Sequence, residues 1–103
     1  MAQRIVWGCI NADGSTHSGD QFTAIHSSAG TYEVVYSTRF KTAPAVILQQ
    51  NFEDWKNFSY GGGSTMDNCV LVASDETKLK VATGGGSGQK TDRNFAFIAV
   101  GEV

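Results

Sequence analysis

Between Asn51 and Tyr60 the chain reads Asn-Phe-Glu-Asp-Trp-Lys-Asn-Phe-Ser-Tyr, a stretch too aromatic for an ordinary loop and too polar for a core strand. Sugars are held by stacking their apolar ring faces on aromatic side chains while carboxylates and amides take the hydroxyls. Trp55, Tyr60, Asp54 and Asn57 supply both parts and are the candidate ligand-binding residues. The alternative is that Phe52, Trp55 and Phe58 plug one end of a β-sandwich, because aromatic side chains bury large areas and serve cores first.

Other short patterns fall away on their chemistry. Gly84 to Thr91 comes within one residue of a phosphate-binding loop, with Gln89 where the second glycine belongs. Such a loop works only when a helix leads out of it, so that a helix N-terminus and successive backbone amides face the phosphates. Here the exit is Asn94-Phe95-Ala96-Phe97-Ile98, a strand, and a hairpin loop between the last two strands is expected instead. Gly61-Gly62-Gly63-Ser64-Thr65 places Met66 where a nucleophile elbow needs its closing glycine, which leaves Ser64 a loop serine. His17 and His26 lie on opposite sides of a turn region without a Cys/His pair at ligand spacing, and read as exposed turn histidines rather than metal ligands. Cys9 and Cys69 are isolated, and two small buried apolar side chains are expected in preference to a disulfide. No acid/base or nucleophile constellation assembles, so no catalytic residue, metal or cofactor is expected, and the protein reads as a non-enzyme.

The elements that must carry the aromatic loop are strands. Residues 1–103, 41% apolar, suffice for one domain, and 12 glycines with only 17% charged residues argue against a charged helical bundle. A net charge of -2 supplies no basic footprint for nucleic acid. The opening Met1-Ala2-Gln3-Arg4 precedes no long apolar run, so neither a signal peptide nor membrane insertion is expected, and synthesis is placed in the cytoplasm. Period-two alternation predicts strands over Arg4 to Ile10, Phe22 to His26, Tyr32 to Tyr36, Ala45 to Gln49, Cys69 to Ala73, Leu79 to Thr83 and Phe95 to Val100. Pro44 opens the fourth, since a proline is tolerated at the first residue of a strand. About seven short antiparallel strands with glycine-rich turns and no helical period give an all-β sandwich or small barrel.

Three strands are apolar on both alternating sets: Ile5/Trp7/Cys9 with Val6/Ile10, Cys69/Leu71/Ala73 with Val70/Val72, and Phe95/Phe97/Ala99 with Ala96/Ile98/Val100. A strand with one face in water shows polar residues there, so the second face is expected to be covered. In a domain this small the expected cover is another subunit, the alternative being a sandwich whose central strands carry scattered exposed apolar residues.

Gly30-x-Tyr32-x-Val34-x-Tyr36-x-x-x-Phe40-x-x-x-Pro44-x-Val46 resembles the core pattern of H-type lectin domains and of small β-sandwich domains of bacteriophage tail fibres. The opening Arg4-x-x-x-Gly8-x-Ile10 is similar to the first strand of the lectins, and Asp92-x-x-Phe95-x-Phe97-Ile98-Ala99-Val100-Gly101 to the closing strand of the tail-fibre type. The resemblance spans nearly the whole chain and implies a homotrimer of six- or seven-stranded antiparallel sandwiches. It carries over the scaffold: Gly30 for a turn, Tyr32, Val34 and Tyr36 for a core strand, Phe40 for a plug, and Pro44 with Val46 for the next strand. Sugar-binding members carry further aromatic and basic residues in their second half. This chain has Lys78, Lys80, Lys90 and Arg93 there and no tryptophan after Trp55, so no sugar site carries over residue by residue. The expected function is binding of a surface glycan or receptor by a trimer, in a virion-associated or released protein. The alternative is a purely structural module that trimerises or caps a larger fibre.

Overall fold

The computed structural model describes residues 2–103. It has eight strands: β1 (Gln3–Ile10), β2 (Thr16–Gly19), β3 (Phe22–Ser28), β4 (Thr31–Tyr36), β5 (Ala45–Asn51), β6 (Asn68–Ser74), β7 (Lys78–Gly84) and β8 (Asn94–Glu102). They form two four-stranded antiparallel sheets, ordered β2-β1-β8-β5 and β3-β4-β7-β6. The chain is all-β, and among the described residues no helix is long and apolar enough to cross a membrane.

All seven expected strands are present, and β2 is an eighth. Thr16-His17-Ser18-Gly19 has no apolar residue to mark it as a strand. It forms because the adjoining edge of β1 offers unpaired backbone groups, and it pairs there across an irregularity between Cys9 and Ile10. Both histidines consequently sit on strands, His17 on β2 and His26 on β3, rather than in a turn.

The core lies between the sheets. One sheet contributes Val6 and Ile10 of β1 with Phe95, Phe97 and Ala99 of β8; the other contributes Tyr32, Val34 and Tyr36 of β4 with Leu79 and Val81 of β7. Phe40, fully buried from the β4–β5 connection, meets Tyr36 edge-on at 5.0 Å and lies under the Arg4 guanidinium at 4.5 Å. The plug role expected of Phe40 is therefore its structural position.

The β6–β7 connection is a hairpin. Asp75 accepts hydrogen bonds from the backbone amides of Thr77 and Lys78 and from the Thr77 hydroxyl, which hold its carboxyl below the usual pKa. The stretch after β7 differs from expectation. β7 and β8 belong to different sheets, so residues 85–93 cross between the sheets instead of closing a hairpin. This crossover is pinned by a bridge between Gly84 and Lys90, by Thr91 N donating to Thr83 O at 3.0 Å, and by Thr83 Oγ1 donating to Thr91 O at 2.6 Å.

The two outer faces differ in character. On the second sheet, Glu33 pairs with Lys78 at 3.0 Å and stands opposite Lys80 in register. On the first, three rows run across β1, β8 and β5: Ile5–Val100–Ala45, Trp7–Ile98–Ile47 and Cys9–Ala96–Gln49. None of these nine residues is charged. Ile5 is 60% exposed, Trp7 50%, Ile47 69% and Ile98 44%. Two of the three doubly apolar strands are thus neighbours whose outward sets merge into one surface; the third, β6, is an edge strand of the other sheet. Both thiols are free, but neither is fully buried as expected: Cys69 packs against the core from the second sheet, whereas Cys9 falls on the outward set of β1 with Ile5 and Trp7 and so lies on the outer face of the first. Burial pushes the Cys69 thiol up to about 12.

Candidate functional site

The aromatic segment opens the long connection between β5 and β6, which leaves the end of the sandwich where β1, β5 and β7 finish and β8 begins. Its first turn is self-made. Asn57 N donates to Asp54 O at 2.9 Å and Tyr60 N to Asn57 O at 3.0 Å. Asp54 occupies the left-handed region, with φ at 52°, a conformation that Asp tolerates better than bulky residues. Asn57 Nδ2 donates to Asp54 Oδ2 at 3.1 Å, and Asn57 Oδ1 accepts from Ser59 N at 3.0 Å. Asp54 and Asn57 are therefore brought together, but they spend part of their hydrogen-bonding capacity closing this turn.

The two aromatic candidates stand in separate contacts. Trp55 is half-buried, with its ring 5.4 Å from His17 of β2 at an interplanar angle of 79°, and Lys56 Nζ stands 5.0 Å from its centroid. Tyr60 leans on Phe52 at 5.7 Å, and the neighbouring Glu53 carboxylate holds its hydroxyl above the ordinary pKa. The plug alternative fares differently residue by residue. Phe58 is wholly exposed, while Phe52 and Trp55 are half-buried and lie outside the core cluster.

The base of the connection is tied down by residues that local sequence does not single out. Arg93 donates to Gln50 Oε1 at 3.2 Å, lies 3.6 Å from Asp67 Oδ2 and covers the Phe52 ring at 5.5 Å. Gln50 in turn donates to the Asn68 and Gly84 carbonyls at 2.8 Å each, linking β5 to the second sheet. Ser64 N donates to Asp67 Oδ2 at 2.9 Å, which closes the far turn of the loop. Asp92, one residue before Arg93, accepts at a single oxygen, Oδ1, from Gly30 N at 2.6 Å, and the same oxygen lies 2.9 Å from His26 Nε2. The Gly30 amide, followed by His26, holds the Asp92 carboxyl below the usual pKa. His26 stacks on Tyr32 at 4.8 Å, and the Tyr32 hydroxyl, which burial raises to about 12, donates to Ala12 O at 2.7 Å.

These groups border a cleft of about 380 Å³ lined by Ala12, Glu53, Thr91, Asp92, Arg93 and Asn94. Asn94 Oδ1 accepts from Ala12 N at 2.8 Å, so the β1–β2 turn is held to the start of β8 across it. Glu53, Asp92, Arg93 and Asn94 converge through the crossing of chains between sheets, a relation that no spacing along the sequence encodes. Among the described residues, no three His, Cys, Asp or Glu side chains gather as a metal-ligand set. The chain matches no protein-family model, no curated protein and no solved structure, and the site is read from its own side chains.

Proposed function

We propose that the chain is a trimeric, non-enzymatic β-sandwich module that binds a cell-surface glycan or comparable receptor through the loops at one end, in the manner of the H-type lectin and tail-fibre domains it resembles. The observation that carries this reading is the division of the surface into two parts of opposite chemistry. The outer face of the first sheet presents uncharged rows centred on Trp7, Ile98 and Ile47, with Gln3 and Glu102 beyond one end and exposed Gln49 in the row at the other. An apolar centre with a polar rim is the anatomy of a subunit contact. The loop end presents aromatic rings beside carboxylates and amides, the pairing that sugar recognition uses.

Trp55 is the stacking platform of this reading, with Asp54 and Asn57 as hydroxyl partners and Tyr60 as a flanking ring. Lys56 must swing aside for a sugar to take its place over the indole, at a cost of about 0.5–1 kcal/mol for an exposed cation–π contact. Trp55→Ala should abolish adhesion to glycan-coated surfaces while circular dichroism and assembly mass stay unchanged, since Trp55 lies outside the core cluster. A folded variant that still adheres would remove Trp55 from the site.

A second reading, a structural module that trimerises or caps a larger fibre, is favoured by the partial occupation of the Trp55 surroundings by His17 and Lys56. It keeps the apolar face and dispenses with the ligand. A glycan array separates the two: binding to any glycan supports the first reading, and a trimer silent across the array supports the second.

A further inference from the structure

We propose that the cleft between Glu53 and Asn94 binds adjacent hydroxyls of an uncharged sugar ring, an inference that rests on the glycan-binding reading above and moves its main polar contacts away from Asp54 and Asn57. The cleft is built by three connections, the β1–β2 turn at Ala12, the β5–β6 loop at Glu53 and the β7–β8 crossover at Thr91 to Asn94. Its volume of about 380 Å³ suits a small ligand, since such sites run from about 300 to 1,000 Å³.

Two of its polar side chains are held rigidly and only half used. Asp92 places both of its contacts, Gly30 N and His26 Nε2, on Oδ1, and Oδ2 has no protein partner among the described residues. Asn94 spends Oδ1 on Ala12 N, and its Nδ2 donor likewise has no protein partner among the described residues. Each group is oriented by one half and offers the other, so little side-chain freedom remains to be lost on binding. With the exposed Glu53 carboxylate, the cleft offers acceptors at two carboxylates and a donor at one amide. A sugar hydroxyl both donates and accepts, and neighbouring hydroxyls on one ring match such a mixed set.

Charge selects among sugars. Arg93, the one cation in the lining, is engaged with Gln50 and Asp67 at the base of the loop, whereas Glu53 and Asp92 are both carboxylates. An anionic sugar therefore meets net repulsion, and an uncharged one does not.

The test is a titration of the ¹⁵N-labelled chain with methyl glycosides of neutral hexoses and, separately, with methyl glucuronide. A neutral glycoside should shift the amides of Ala12, Gly30 and Asn94 saturably and bind at least about tenfold more tightly than the glucuronide. Glu53→Gln and Asn94→Asp should each weaken binding about tenfold, the scale of one hydrogen bond to a charged group. Asn94→Asp retains the acceptor for Ala12 N, and Glu53 is exposed, so both variants should keep the folded spectrum. Shifts confined to the amides of residues 54–60 would overturn the cleft and leave the glycan reading standing. Glucuronide binding as tightly as the neutral glycosides would overturn the selection against charge, and no shift with any glycoside would overturn both the cleft and the glycan reading.

Discussion

Asp92 fastens three parts of the chain with one oxygen: the β3–β4 turn through Gly30, β3 through His26, and its own crossover. Its lowered pKa means that the folded state binds the carboxylate form more tightly than the unfolded chain does, where the pKa is about 3.9. The stabilisation is therefore present above that value and lost as pH falls through the lower folded pKa. Asn at this position keeps an acceptor oxygen but not the charge. Asp92→Asn should be less stable than the wild type at pH 6, and the gap between their urea midpoints should narrow as pH falls below about 4. A gap that stays constant down to pH 2 would show that the charge of Asp92 contributes nothing. At this scale the sequence made residue types legible and their partners illegible. Asp54 and Asn57 were marked by being polar beside aromatics, and the structure does join them, but into the turn that closes their own loop. Asp92 and Arg93 carried no local sign of their roles, because their partners lie tens of positions away in the chain.

The strands with an apolar face were legible because one side of each must enter the core, and alternation records that demand. β2 escaped because its four residues are all small or polar and its only support is the edge of β1. The β7–β8 crossover reads as a hairpin in the sequence because a glycine-rich stretch between two strands looks the same whether it joins neighbours or changes sheets. Gly30 shows how tightly that crossover is seated. Its φ is 62°, and a Cβ there would lie 2.7 Å from both Thr83 O and Thr91 N. Gly30→Ala should cost about 1–3 kcal/mol in urea denaturation, combining left-handed backbone strain with that collision. Gly61→Ala is the matched control, with nothing within 4 Å and no left-handed φ, and should lie within about 0.5 kcal/mol of wild type. Equal effects of the two would mean that the crossover is not packed against the β3–β4 turn.

For the molecule as a whole, the two outer faces divide the labour proposed here. The face bearing Glu33, Lys78 and Lys80 mixes charge with exposed Ile25 and Val70, whereas the face bearing Ile5, Trp7, Ile47 and Ile98 carries no charge in its three central rows and is the one assigned to a neighbouring subunit. That β1 and β8 are apolar on both alternating sets was legible in the sequence; that they would pair and pool their outward residues with Ala45 and Ile47 of β5 depended on strand order. Trimerisation would also solve an affinity problem. A few stacking and hydroxyl contacts on an open loop end give about 4–8 kcal/mol, millimolar to micromolar binding, and three sites on one assembly raise avidity about 10²–10⁴-fold. The most direct measurement is the mass by light scattering at micromolar concentration of the wild type and of Ile47→Glu, whose side chain is 69% exposed and outside the core. The wild type should return about three times the 11.0 kDa chain mass and Ile47→Glu the mass of one chain with an unchanged circular dichroism spectrum. A monomeric wild type, or a trimer untouched by a charge at Ile47, would contradict the account.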